Sequence, residues 1–591
     1  MKKINILTIA IPLLIFVSEA AAQQKIDPTL EVRRDFDARL LEITKGKLYT
    51  EFADSLGNFN LSFKYTIFDK PIKELYEFSP LPSARIERSP NQKHSLLSLK
   101  MGTLSPLQPF ASLHIQPITQ GKFRLSAYGK HSSFYGKLPA IIVDEGPMIK
   151  RSELKSYAPS SNTNGGVALS YSWSGGIIGA DAYTGKYLES YYGYSNTLYS
   201  LHNRDYMKDS LSHRFSKTGA RVYAGSKNRE NDSFIYNLDI GYLKTKDKAR
   251  FELPGNFRES DLDEDYFDIS LTLGAGFMGN NKLLAQINYK TANSLHSDSL
   301  DRSNLELHPR YIFKKGRWDL ELGFKYNRQW ERGQDDFNIY LSSSAKLELI
   351  KNRVWAYALV DGTNNFNTYG KMLESNPWIY PGIELRNTEQ PFMAKAGISG
   401  KIKELITWNL YGGYYEYKNR AYFYSHFNYP NPVNSLSAAY QDEKRTGIGA
   451  EVLFKKESVE GGINLDLYSY RDNNNKTDLH YNLTPFELKS WLRYSWRERL
   501  IFSGTLNYIQ KTPHFIQSEV YSSTQPLTLL PIELKRYTPS YALLNLDVTY
   551  VYNRNISLFA KAVNILNSEI IYYAKYAMPG ISLGGGLVIN F

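Results

Sequence analysis

From about Leu97 to the C-terminus, large apolar and polar residues alternate in runs of roughly ten, separated by short polar breaks. In one run Trp318, Leu320, Leu322, Phe324 and Tyr326 alternate with Asp319, Glu321, Gly323, Lys325 and Asn327. Phe234, Tyr236, Leu238, Ile240 and Tyr242 alternate with Asn237, Asp239 and Gly241, and Leu544, Leu546, Val548, Tyr550 and Tyr552 with Asn545, Asp547 and Thr549. In the last run Ile581, Leu583, Leu587, Ile589 and Phe591 share one face, while Ser582, Gly584, Gly586, Val588 and Asn590 share the other. Successive strand side chains point to opposite faces, so each run predicts a strand that is greasy on one side and polar on the other. Strands of about ten residues cross the apolar band of a bilayer when tilted, and aromatics at the ends of the apolar face fit interfacial girdles.

The connections alternate as well. Short links at 119–122, 174–176, 279–281, 314–316, 351–353, 400–403, 455–457, 497–499 and 553–555 are interleaved with long ones at 132–166, 189–217, 362–390, 417–445 and 511–540. Short periplasmic turns and long extracellular loops are the bacterial barrel arrangement. The predicted fold is all-β: a transmembrane antiparallel outer-membrane β-barrel of about 22 strands, give or take several, with both ends on the periplasmic side.

Residues 1–22 read as a signal peptide, with Lys2 and Lys3 ahead of an apolar core and Ala20-Ala21-Ala22 at the cleavage site. Residues 23–97 carry scattered charge and a proline-rich run from Pro71 to Pro90. Proline cannot donate to a ladder, so this part is expected to be a periplasmic or lumen-filling segment, with the barrel occupying 98–591. Beyond the N-terminus no stretch is apolar enough for a spanning helix. The chain has no cysteine, which rules out a disulfide framework and a lipid anchor. Its net charge of +12 is spread over short connections rather than gathered in a tract. That points to solvated turns near phospholipid headgroups and away from nucleic acid.

The end of the chain resembles the end of TonB-dependent receptor barrels. The resemblance rests on the strand Leu558-Phe559-Ala560-Lys561-Ala562-Val563, the corner Asn564-Ile565-Leu566-Asn567, the pair Tyr572-Tyr573, the entry Pro579-Gly580 and the terminal Phe591. It implies cell outer-membrane localisation, and it gives Phe591 a role as an assembly signal for the outer-membrane assembly machinery. Receptors of that family carry a glycine-rich plug ahead of the barrel, for which residues 23–97 are too short and too proline-rich. The chain is therefore similar to plugless, receptor-like barrels of Bacteroidetes-type bacteria.

A barrel of this size has a lumen that must be filled. The expected seal is residues 23–97; inward-folded loops, inward side chains and a separate protein are the alternatives. Two functions stay open. One is transport or binding at the cell surface, with a surface lipoprotein as partner. The other is a sealed structural or assembly-complex subunit that docks other envelope proteins. Outer-membrane lipid and lipopolysaccharide are the surrounding partners in both.

Catalytic motifs are absent, the ten histidines lack metal-site spacing, and the expectation is no enzyme and no cofactor. Asp261, Asp263 and Asp265, read as lying in an external loop, begin like a calcium loop. Tyr266 and Thr272 then stand where a turn glycine and a bidentate glutamate belong, so a solvated loop is the better reading. Tyr191, Tyr192 and Tyr194, and Tyr422, Tyr424 and Tyr429, crowd two outer loops. Such aromatics can stack on a ligand or hold a partner; the plainer reading is that they pack the loops together or join the girdle.

Overall fold

A computed structural model describes residues 96–591, apart from 119–120, 143–145, 193–211, 227–233, 254–255, 278–280, 296–299, 332, 381–382, 426–434, 472–480 and 522–528. The expected signal peptide, nearly all of segment 23–97, and both Tyr194 and Tyr429 lie outside the described residues.

The wall begins with β1 (Leu97–Leu104), β2 (Gln108–Ile118) and β3 (Phe123–Phe134), after which β4 (Lys137–Ile142) and β5 (Lys150–Tyr157) form a hairpin apart from it. It continues through β6 (Ser160–Ser172), β7 (Gly176–Ser190), β8 (Ser212–Ser226), β9 (Phe234–Leu253) and β10 (Asn256–Phe277). Next come β11 (Asn281–Leu295), β12 (Leu300–Lys315), β13 (Trp318–Glu331), β14 (Gln334–Ile350) and β15 (Val354–Asn365). A helix, α1 (Tyr369–Ser375), precedes β16 (Thr388–Ile402), β17 (Ile406–Ser425), β18 (Leu436–Lys456), β19 (Val459–Arg471), β20 (Phe486–Trp496) and β21 (Leu500–Ile509). A hairpin of β22 (Thr512–Tyr521) and β23 (Leu529–Thr538) interrupts the wall before β24 (Tyr541–Val551) and β25 (Ile556–Val563). The small pair β26 (Ile571–Tyr573) and β27 (Tyr576–Ala577) precedes β28 (Ser582–Asn590), which pairs antiparallel with β1. The ring is thus a closed antiparallel barrel of 22 strands.

The alternation read from the sequence is the alternation of the wall. Leu322, Phe324, Ile339, Leu341, Ile448, Leu546 and Leu583 stand exposed on the outside, while Lys325, Asn327 and Asp361 are buried inside. A water-soluble fold would invert this, so the greasy outside is the lipid-facing surface of a protein of the cell outer membrane. Among the described residues the short turns run where they were expected, and several use left-handed backbone, including Asn352 (φ 55°) and the pair Arg497 and Glu498 (φ 50° and 56°). Such turns match the twist of tight hairpins. At the closing seam Gly102 pairs with Gly586, and a Cβ on either would meet the Phe559 ring at 3.0 Å or less. Phe110 stacks on Phe559 there, with centroids 6.0 Å apart, so aromatic side chains fill the space over the glycines.

One expectation changes, and one of the alternatives for the lumen seal gains support. Asp261, Asp263 and Asp265 belong to β10 rather than to an external loop. Their period of two sets Asp263 and Asp265 on one face opposite Lys246 and Lys244 of β9, a charge-matched pairing that favours a strand. The connection from β15 to β16 turns back across the barrel mouth, and its apolar side chains are among the most buried in the molecule.

Candidate functional site

A lid, residues 366–380 and 383–387, lies over the mouth and is built around α1. Thr368 caps the helix, its Oγ1 accepting from the Lys371 amide at 3.2 Å, and the Asn376 amide donates to the Met372 carbonyl at 2.9 Å before Pro377 stops the turn. Seven residues cannot sustain a helix alone, so its order comes from what it touches. Tyr369, Met372 and Leu373 are fully buried against loops from elsewhere on the ring. Trp378 stacks on Tyr576 at 4.1 Å, the Tyr573 hydroxyl donates to the Ser375 carbonyl at 2.8 Å, and the Tyr191 hydroxyl donates to the Ile379 carbonyl at 3.2 Å.

The polar side of the lid is held by the wall. On β10, Glu264 accepts from the Tyr369 amide at 2.6 Å and the Gly370 amide at 2.8 Å. On β8, the Lys217 ammonium donates to the Gly370 carbonyl and the Glu374 carboxylate. The Tyr369 hydroxyl donates to Asp247 of β9, whose other oxygen lies 2.6 Å from His213 Nε2, and His213 Nδ1 lies 2.5 Å from the Pro377 carbonyl. On β12, Arg302 donates to the Asn367 carbonyl at 2.6 Å and Asn387 Oδ1 at 2.5 Å, and its guanidinium lies over the Phe366 ring at 5.1 Å. The side chains of Asn304, Asn327, Asn364 and Gln329 continue this into a carboxamide chain along the inner wall.

The height of the clamp follows from β9. Outside, the apolar run ends at Tyr242 and gives way to Lys244, Lys246 and Lys248; inside, Asp247 lies at the level of these lysines. The clamp therefore sits just above the lipid band, where lysines meet headgroups. Below it the lumen is polar: Arg221 donates to Asp239 through Nε at 2.7 Å, with Asp181 and Asp268 on neighbouring strands and Lys290 opposite Asp268. Lys371, on the lid, donates to the Phe366 carbonyl at 2.8 Å. Burial, reinforced by Lys290, pulls its ammonium down from 10.5 to about 7. Burial beside Asp247 raises the Tyr369 phenol well above its ordinary value, so it stays a donor.

The sequence-selected residues fall in different places. Tyr191 and Tyr192 are buried in the packing of the outer loops, Tyr192 donating to the Ala577 carbonyl at 2.6 Å and meeting Tyr576 edge-on at 5.2 Å. Tyr422 and Tyr424 are half-buried in an aromatic cluster with Tyr481 and Phe515, at 5.2 and 5.5 Å. Lys244 reaches Asp263 and Asp265, each at 3.4 Å, and Lys246 reaches Asp263 at 3.5 Å. Among the described residues no group of three or more His, Asp and Glu could hold a metal ion. Phe591 keeps its ring outside, while its carbonyl accepts from the Leu96 amide at 2.5 Å and its amide donates to the Leu97 carbonyl at 2.8 Å. The clamp residues His213, Lys217, Asp247, Glu264 and Arg302 were not legible beforehand. The one local signal was Thr368 followed by a short helical stretch and then Asn376-Pro377 inside a long loop.

No family model matches the chain, and no curated protein does. Solved structures do. The FrpB iron transporter of Neisseria meningitidis aligns with a TM-score of 0.62 at 9% identity, over 84% of this chain and 81% of that one. The siderophore receptor PirA of Acinetobacter baumannii aligns with a TM-score of 0.62 at 11% identity, over 84% and 80%. A ferric enterobactin receptor PfeA mutant of Pseudomonas aeruginosa aligns with a TM-score of 0.60 at 13% identity, over 84% and 80%. At these identities the likeness is one of architecture: the chain is an outer-membrane β-barrel with the fold of the barrels of iron and siderophore receptors.

Proposed function

We propose that this chain is a receptor-like transport barrel whose outer mouth is gated by its own lid. The observation that carries the reading is the nature of the contact between lid and wall. It is made by charged and hydrogen-bonded groups that water or a solute can replace, and it stands over a polar lumen. A permanent seal gains nothing from buried ion pairs over apolar packing of the same volume. The shared architecture with iron and siderophore receptors supports the same reading; the iron and siderophores in their titles belong to those proteins. Residues 23–97 act as a periplasmic or lumen-filling segment rather than a full plug, and a surface lipoprotein is the partner over the mouth.

Planar-bilayer conductance tests this on the full chain, on a form with 367–386 replaced by a short linker, and on that form also lacking residues 24–95. Gating by the lid predicts a closed full chain and large, stable steps once both obstructions are removed. The second reading, a sealed barrel that docks envelope proteins, is favoured by the apolar packing that joins Leu138, Tyr192, Met372, Phe423 and Tyr576 from separate stretches of the chain. It predicts that the lid-less forms lose envelope proteins that co-purify with the full chain, and an absence of conductance in all three forms would end the transport proposal.

A further inference from the structure

We infer that His213, Lys217, Asp247, Glu264 and Arg302 form a peptide-binding site at the barrel mouth, which residues 367–377 of the lid occupy as a tethered pseudo-ligand. The inference rests on the transport reading and names its cargo class: a short peptide carrying a carboxylate.

The chemistry of the contacts carries it. The groups that these five side chains engage on the lid are mostly backbone. Three are carbonyls, of Asn367, Gly370 and Pro377, and two are amides, of Tyr369 and Gly370. The remaining lid groups are the Glu374 carboxylate on Lys217, the Tyr369 phenol on Asp247 and the Asn387 amide oxygen on Arg302. Donors and acceptors on the wall therefore match a turn of peptide, with one cation placed for an acidic side chain.

Burial sharpens the point. His213, Asp247 and Glu264 are wholly inaccessible, and Lys217 and Arg302 are 2% exposed. When the lid leaves, all five side chains lose the lid partners just named, while wall contacts stay between His213 and Asp247, Glu264 and Ser294, and Arg302 and Glu331. A buried site that loses hydrogen bonds wherever a ligand lacks the matching group discriminates strongly between ligands that carry those groups and ligands that lack them. The space is specific as well. A Cβ at Gly370 would stand 2.5 Å from Thr245 Oγ1 and 3.2 Å from Glu264 Oε1, so the wall follows the backbone closely and favours glycine or a retracted residue at that point.

The test uses the full chain carrying Gly370→Ala, which weakens the lid and leaves the wall intact, with a second form in which 367–386 is a linker. The probe is a fluorescent synthetic peptide with the sequence of residues 367–377, and binding is read by anisotropy. The expected result is saturable binding to both forms, at least 10-fold weaker binding of a scrambled peptide, and no binding to the closed wild-type chain. Lys217→Met and a probe with glutamine at the Glu374 position should each weaken binding about 10-fold, and together scarcely further, because they remove the same pair. The inference is overturned if neither form, shown to be folded by its heat-modifiable migration, distinguishes the peptide from its scramble, or if the two changes weaken binding additively. Binding is read here without conductance. Peptide capture by a non-conducting barrel would sink the transport reading alone, and conductance without capture would sink this inference alone.

Discussion

Gly370→Ala asks the molecule a question that local and tertiary physics answer with opposite signs. In an isolated helix the change is favourable by about 1 kcal/mol. In the docked lid the new Cβ would lie 2.5 Å from Thr245 Oγ1, 3.2 Å from Glu264 Oε1 and 3.5 Å from Lys217 Nζ. Thr245 is fully buried and β-branched, so its χ1 does not swing aside cheaply. Overpacking of this kind costs ~1–3 kcal/mol. Pushing Glu264 away from the two amides it accepts from leaves buried groups unsatisfied, for ~1–3 kcal/mol more. After the helix gain the balance is roughly 1–5 kcal/mol against the docked lid. Since ~1.4 kcal/mol is tenfold, the open population should rise between about 5-fold and a few-thousand-fold, with about 100-fold at the middle of that range.

The chain has no cysteine, so Met372→Cys provides a single reporter at a position with 0% exposure. Its rate of maleimide labelling reads lid opening directly. Gly370→Ala should accelerate labelling by about 100-fold, and by no less than about 5-fold, at constant pH, on the free-energy scale just given. A rate that is unchanged, or slower as helix propensity alone would make it, refutes the clamp.

Other consequences follow from the same contacts. Lys371 is held down to about 7 by burial and Lys290, against 10.5 when undocked, with Asp268, Glu374, Glu264 and the Tyr266 ring also facing it. Between those values the open lid binds more protons than the docked one, so docking tightens as pH rises from 7, by up to ~1.4 kcal/mol per unit, and is weakest below 7. Labelling of the same cysteine reporter should slow with rising pH after correction for thiolate reactivity, and Lys371→Met should flatten that slope. Lys325→Met leaves Asp361 buried without the ammonium that now lies 2.7 Å away, and should cost about 3–5 kcal/mol of barrel stability, read by urea unfolding in detergent. Phe591→Ala removes a ring that stands outside while the seam's backbone bonds stay, so equilibrium stability should change little while the assembled fraction in cells falls. A loss of stability with normal assembly would reassign the ring to a structural role.

The wall was legible because its signal is local. Trp318 to Tyr326 and Ile581 to Phe591 alternate with period two whatever their neighbours do, and lipid on one side forces that pattern onto every spanning strand. The inner mouth left no such trace. Lys217, Asp247, Glu264 and Arg302 occupy inward positions where a solvated lumen would accept the same residues, so nothing in their own runs marks them as a clamp. The aromatics Tyr191 and Tyr192 were visible as a cluster, but whether a cluster packs inward or faces a partner depends on what lies opposite. Here that is Tyr576 and Ile379.

By itself the sequence determined the class of fold, its insertion in the outer membrane and the side of the membrane on which the long loops lie, because each follows from periodicity and loop length within a few dozen residues. Only the tertiary structure decided which loop turns inward. That choice depends on pairs such as Lys217 with Glu374 and Glu264 with Tyr369, separated by 157 and 105 residues, which become neighbours only when the ring closes.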